Sequence, residues 1–300
     1  MTDRAQLPLD ERCSWTSLAR HDDQVGTAPI AQRFFCVVQP GSWGRLALEM
    51  SDLDPAVGVA VGRASVRTRT RPLLLRRPGR RPDPLRRRWF LATTTPGSAG
   101  VRSGVVGRDE ELVDVVEAEA PGDVWSEPLL LVCTHGRHDT CCALRGRPVA
   151  AALAREHGDR VWECSHLGGD RVAANLLLLP QGLLYGTVDA ASALAVVRAY
   201  EQGDVVPELL RGASPLAPAA QAAQAHARAR TGERRIDALP VLSASRLSAE
   251  VWRVELGWRG GPLEVVVERR TSGPPQLLTC HSTVAVGPST WALLALHGAG

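Results

Sequence analysis

Cys133-Thr-His-Gly-Arg-His-Asp-Thr-Cys-Cys142, followed after a helix-length interval by Cys164-Ser-His-Leu-Gly-Gly-Asp-Arg-Val-Ala-Ala-Asn175, is the stretch on which the reading of this chain turns. It holds Cys133, Cys141, Cys142 and Cys164, out of seven cysteines in all, together with His135, His138 and His166. The apolar run 129–132 reads as a strand that delivers Cys133 at its carboxyl end, and the Thr, Gly, His and Asp that follow are turn formers. Gly146-Arg147-Pro148 opens an apolar-periodic segment over 149–157, with Pro148 suited to a first helical turn. On this reading Cys133 and Cys142 share one loop between a strand and a helix. A second strand over 160–164 ends at Ser165-His166, and His166-Leu-Gly-Gly-Asp170 bends on its glycines. Residues 172–179 and 183–188, joined by Pro180-Gln181-Gly182, read as a hairpin. Asp189 then caps a helix over 190–200.

The order strand, thiol loop, helix, strand, ligand loop, hairpin, helix resembles a thioredoxin-like ferredoxin. The start at Cys133-Thr-His-Gly136, the pair Asp139 and Cys142, and the run from Ser165 to Asn175 resemble the signature of the sucrase/ferredoxin-like family, over roughly residues 10–215 and most strongly over 129–200. That resemblance implies a [2Fe–2S] cluster, with two cysteines of the first loop on one iron and two histidines of a His-x-Gly-Gly-His motif on the other. Cys133, Cys142 and His166 match those positions; the second histidine position is occupied by Asp170. Asp170 could ligate directly or accept the other ring N–H of His166, and Cys141 or Cys164 could complete the set instead. Around these positions, His135, Asp139, Gly168, Gly169, Arg171 and Asn175 are candidates to shape and hydrogen-bond the two loops.

The residue types suit such a site. Each iron of a [2Fe–2S] unit is tetrahedral and needs a pair of protein ligands on facing loops, and imidazole in place of thiolate leaves the cluster less negative. Carboxylate is a harder donor than either, so iron held through Asp170 should be more labile. Spacing alone leaves two other chemistries open. One is a thiol redox enzyme or sensor using Cys133, Cys141 and Cys142, with His166 or Arg137 lowering a thiol pKa. The other is a structural zinc site in an interaction protein.

Three hundred residues, 44% of them apolar, suggest about two domains with ordinary cores. No apolar run approaches the roughly 18–20 residues of a membrane span, and no charged-then-apolar leader opens the chain. The expectation is a cytoplasmic protein with reduced or metal-bound thiols. All 35 basic side chains are arginine.

Upstream, residues 1–12 are polar, and Ser14 or Thr16 could cap a helix. Residues 32–39 form a strand by β-branched and aromatic content, Asp54-Pro55 starts a helix over 56–64, 72–76 and 88–94 are strands, and 109–116 a short helix. This order echoes the thioredoxin unit without its ligands, so residues 1–125 are expected to be an α/β domain in which 10–125 form a degenerate second copy. Residues 126–214 would be the ferredoxin domain and 215–300 a helix and β-hairpin extension. Arg67, Arg69, Arg71, Arg76, Arg77, Arg80, Arg81, Arg86, Arg87 and Arg88, broken by prolines, read as a solvated loop or as a docking patch for an acidic redox partner. A net charge of +3 and the lack of a binding motif speak against nucleic acid. Downstream, 215–230 is helix-prone, 250–258 and 263–269 form a hairpin across a Gly-Gly turn, and 277–282 would add a third strand. Cys13 is uncommitted, Cys36 reads as core, and Cys280 as structural, though it is the one distant cysteine worth testing as a ligand. With no dinucleotide fingerprint and no paired catalytic carboxylates, the chain reads as an α/β one-electron carrier rather than a self-sufficient enzyme.

Overall fold

The computed structural model describes residues 8–80, 87–118 and 121–298. Helix α1 (Cys13–Ala19) comes first, and Arg12 rather than Ser14 or Thr16 stands at its amino end, so both hydroxyls lie within the helix. Next come β1 (Arg33–Val38), α2 (Pro55–Arg67) and β2 (Thr70–Arg76). The strands β1 and β2 are parallel neighbours, as a helical crossover requires. Asp54 accepts the Ala56 N–H at 2.7 Å and Pro55 occupies the first turn, which fixes where α2 begins. Then β3 (Arg88–Thr93) pairs antiparallel to β1, and β4 (Gly100–Val105) to β3. After α3 (Leu112–Glu117), β5 (Asp123–Trp125) joins β4.

The same plan is then repeated. The strands β6 (Leu129–Cys133) and β7 (Val161–Cys164) are parallel across α4 (Thr140–His157). Antiparallel to β6 runs β8 (Leu176–Leu179), followed by β9 (Leu183–Tyr185); after α5 (Ala190–Glu201), β10 (Leu210–Ala213) joins β9. The two copies meet edge to edge where β2 pairs antiparallel with β7, Leu75 opposite Cys164 and Arg76 opposite Glu163. Among the described residues the result is one ten-stranded sheet, β10-β9-β8-β6-β7-β2-β1-β3-β4-β5, which continues across residues 125 and 126. Its central strands are buried on both faces, which is why 34–38 and 129–133 read as unbroken apolar runs. One face forms a single core from both copies, with Phe34, Cys36, Phe90, Leu131, Trp162 and Cys164. On the other, Val57 and Val61 of α2 cover Phe35 and Leu74, and Val149 and Leu153 of α4 cover Leu130 and Val132.

Past residue 214 the extension is a helix on a sheet. Alanines of α6 (Pro218–Thr231) pack on Val254, Leu256, Val265 and Val267. These belong to a four-stranded antiparallel sheet, β11 (Val241–Arg246), β12 (Val251–Leu256), β13 (Leu263–Thr271) and β14 (Ser289–Gly298). The expected hairpin is β12–β13. The expected strand over 277–282 is not formed: that segment turns, with the Ser282 N–H bonded to the Thr279 carbonyl at 3.2 Å, and β14 pairs with β13 instead.

Two local readings also change. Helix α4 starts eight residues before Pro148, because Asp139 caps it by accepting the Cys141 N–H at 2.9 Å. Pro148 lies inside the helix, and Cys141 and Cys142 lie in its first turn rather than on a loop. The arginine run is no solvated loop either, where it is described. Arg71 and Arg76 belong to β2 and Arg88 to β3; Arg81 and Arg86, with Pro82 and Pro84, lie outside the described residues. Arg76 is buried in an ion pair with Glu163 at 2.8 Å, Arg67 pairs with Glu117, Arg77 stacks on Trp162 and Arg87 pairs with Asp109. Among the described residues, no helix is long and apolar enough to cross a membrane.

Candidate metal centre

The carboxyl ends of β6 and β7 lie side by side and place the site. Cys133 ends β6 opposite Cys164 of β7, and His166 follows two residues after Cys164. The first turn of α4 brings Cys142 over Cys133, an approach that depends on Gly146: a Cβ there would stand 2.1 Å from the Cys133 carbonyl oxygen. The donor atoms of Cys133, Cys142 and His166 all lie within 4.8 Å of one another. Asp170, buried, reaches into the same place, its Oδ1 3.3 Å from Cys142 Sγ and 3.2 Å from His166 Nδ1. His138 completes a second grouping with His166 and Asp170: its ring stacks on that of His166 at 3.7 Å, and its Nε2 is 4.0 Å from Asp170 Oδ2.

Other expected positions hold the frame. Gly168 and Gly169 have φ of +87° and +81°, left-handed values that keep the ligand loop tight. The Asn175 side-chain amide donates to the Gly169 carbonyl at 3.0 Å. Arg171 points away, donating to the Asp23 carbonyl at 2.8 Å, and so ties the loop to the segment after α1. The His135 ring hydrogen-bonds through Nε2 to the Gly44 carbonyl at 2.6 Å, while its buried Nδ1 has no hydrogen-bond partner. Cys164 packs in the core beside Cys36, where burial pushes its thiol pKa up, and it joins none of the donor groups among the described residues. Cys141 faces the opposite way from Cys142, towards Cys13 and Cys280.

Sequence reasoning missed two cations. Arg211, fully buried, donates to the Gly168 carbonyl at 2.8 Å and to Asn175 Oδ1 at 2.6 Å, and Arg71 donates to the His166 carbonyl at 3.2 Å. Neither has a local signal, since each reaches the loop from a strand far along the chain.

The electrostatics follow from this packing. A hydrogen bond from Cys142, with His166 beside it, holds the Cys133 thiol well below its usual pKa, and Cys142 is correspondingly raised. Burial depresses the His166 pKa, but Cys133 and Asp170 more than offset it, so the net shift is upward. Burial, opposed by His166, pushes Asp170 up to about 7. Burial and the neighbouring histidines lower His138 to about 4, which leaves its ring neutral at pH 7, with a lone pair free for a metal. The donor set is thus two buried thiols, one of them poised as thiolate, an imidazole and a carboxylate, and a group with two thiophilic and two N/O-binding corners fits it. The histidine edge is the open one: His138 and His166 side chains are 32% and 21% exposed against 3% for Asp170, and they line a cleft of about 240 Å³ with Arg45 and Glu49.

Comparison with known proteins bears on this arrangement. Neither the curated proteins nor the solved structures gave a match. A family model described as sucrase/ferredoxin-like matches residues 59–212. That span is more than half of the 300 residues and includes Cys133, Cys142, His166 and Asp170, and the chain belongs to the sucrase/ferredoxin-like family.

Proposed function

We propose that this protein is a one-electron carrier whose [2Fe–2S] cluster is held by Cys133 and Cys142 on one iron and by His166 and Asp170 on the other. The observation that carries the reading is the convergence of those four donors at the paired ends of β6 and β7. When bound, such a cluster would take up and release a single electron, at a potential raised by neutral imidazole in place of thiolate at His166. The chain's own groups supply the rest. Asn175 and Arg211 hold the carbonyls of Gly169 and Gly168, and so fix where His166 and Asp170 stand. The guanidinium groups of half-buried Arg71 and fully buried Arg211 place positive charge behind an anionic site, which favours the reduced state. His166 and His138 leave one edge exposed for exchange with a partner, and an acidic redox protein would be drawn to it by Arg45 and by the exposed members of the run from Arg67 to Arg88. The reaction partner, rather than this chain, would carry the catalytic chemistry.

The closeness of the Cys133 and Cys142 sulfurs, within 4.8 Å, with one thiol lowered and the other raised, favours one other reading, a dithiol that passes two electrons to an oxidised partner and two protons to solvent as it closes to a disulfide. One measurement separates the two: anaerobic ultraviolet–visible and electron paramagnetic resonance spectra, with iron and sulfide assayed on the same sample. The carrier should show visible bands that bleach with dithionite and a paramagnetic signal on reduction. A colourless, iron-free protein after anaerobic reconstitution would sink the carrier reading and leave the dithiol or a zinc site, which metal analysis separates.

A further inference from the structure

On the far side of α4's first turn, three cysteines that are remote in sequence converge. Cys13 comes from α1, Cys141 from α4 and Cys280 from the turn between β13 and β14. Their sulfurs form a nearly equilateral triangle, with Cys13 to Cys141 at 3.6 Å, Cys141 to Cys280 at 3.4 Å and Cys280 to Cys13 at 3.5 Å. All three are buried, and Asp139, also buried, stands beside them with Oδ2 3.9 Å from Cys13 Sγ. The carboxylate is aimed by two backbone N–H groups, that of Cys141 to Oδ1 at 2.9 Å and that of Cys280 to Oδ2 at 2.7 Å. The four donor atoms lie within 4.8 Å of one another.

We propose that Cys13, Cys141, Cys280 and Asp139 form a second, structural site for one thiophilic divalent cation, with zinc the best fit. A tetrahedral ion with metal–sulfur bonds of about 2.3 Å requires sulfurs about 3.8 Å apart and a carboxylate oxygen about 3.5 Å from each sulfur. The observed triangle needs to open by only a few tenths of an ångström to meet that. Thiolates on different irons of a cluster would stand farther apart, since a metal–metal separation comes between them, so the triangle suits a single ion. Disulfide chemistry fits less well. It would draw one pair of sulfurs to about 2.0 Å and strand the third thiol in a buried site next to a carboxylate. Binding would release the three thiol protons to solvent and leave a net anionic site, which the amino end of the 18-residue α4 partly offsets.

Such a site would tie α1 and the turn between β13 and β14 to the wall of the first centre. Cys141 and Cys142 are consecutive, one side chain turned into each centre, and Cys13 and Cys280 lie outside the matched 59–212. The site does not depend on the electron-carrier reading. Metal content should be measured on the full chain carrying Cys133→Ser and Cys142→Ser, which removes the first pair of thiols, and compared with the same chain also carrying Cys280→Ser. About one zinc per chain is expected in the former, falling below about a tenth in the latter. Zinc X-ray absorption on the former should show three sulfurs and one oxygen, a readout that needs no variant of the second site. Absence of zinc there even after anaerobic zinc addition, a first shell with fewer than three sulfurs, or unchanged zinc in the Cys280→Ser chain would each overturn the proposal.

Discussion

Single residues decide what the first centre can hold. Replacing Cys133 or Cys142 by Ser should abolish visible absorbance, and a normal spectrum in either variant would remove that residue from the ligand set. Asp170→His exchanges an anionic donor for a neutral one, so the cluster should be easier to reduce and its potential higher; redox titration reads the shift. An unchanged potential would point to His138, 4.0 Å from the same carboxylate, as the group that completes the site. Asp170 also has a cost that the cluster-free protein should reveal. Its folded-state pKa of about 7 stands above the ordinary value of 3.8, so the folded chain binds the proton more tightly than the unfolded one. That contribution is intact below about pH 4 and is lost as pH rises through about 7. Asp170→Asn should therefore raise the melting temperature of cluster-free protein at pH 8, raise it less at pH 5, and bring no gain below about pH 4. At this scale the convergence of Cys133, Cys142, His166 and Asp170 was legible in the sequence because they lie on two short segments that match a family signature, with Asp170 where that signature has a second histidine. Arg211, Arg71 and the convergence of Cys13 with Cys280 were not, because only long-range packing brings them in.

At the scale of elements, α4 and β6 set the site's geometry, and Gly146 sits where they touch. Helix propensity alone says that Gly146→Ala should stabilise α4 by about 1 kcal/mol. The new Cβ would stand 2.1 Å from the backbone oxygen of Cys133, and overpacking of that kind costs about 1–3 kcal/mol and sometimes more. Because the obstacle is backbone, the steric cost should win. Thermal unfolding should show net destabilisation, with poorer cluster retention as α4 lifts Cys142 away from Cys133; a raised melting temperature would mean that helix and strand separate freely. The same helix shows why its start was misread. Pro148 is a good first-turn residue; inside a helix it loses the hydrogen bond to the Leu144 carbonyl and its ring crowds that oxygen, and the cap at Asp139 together with the burial of Cys142, Val149 and Leu153 offsets this. The strands β4 and β5 escaped the sequence for a different reason: Gly100–Val105 carries two glycines and little alternation, and pairing with β3 rather than intrinsic preference makes it a strand.

Over the whole molecule, two copies of one topology share a sheet through a short seam, and the candidate metal centre stands next to it. Among the described residues the candidate ligands at the strand ends belong to the second copy; in the first, β1 and β2 end at Val38 and Arg76 where β6 and β7 end at Cys133 and Cys164. The seam is reinforced by the buried Arg76–Glu163 pair at 2.8 Å, and Thr134, next to Cys133, donates to the same Glu163 oxygen at 2.9 Å. Removing one partner of such a pair leaves a buried charge uncompensated and costs about 3–5 kcal/mol, whereas replacing both with apolar side chains of similar volume is often neutral. Arg76→Met should accordingly shift the denaturation midpoint strongly downward and weaken cluster retention, because Glu163 loses its counter-ion beneath Thr134. Arg76→Met combined with Glu163→Leu should recover much of the stability. If the single variant unfolds at the same denaturant concentration as the parent, the two copies are held together by sheet pairing and the shared apolar face alone, and the ion pair serves the site rather than the seam.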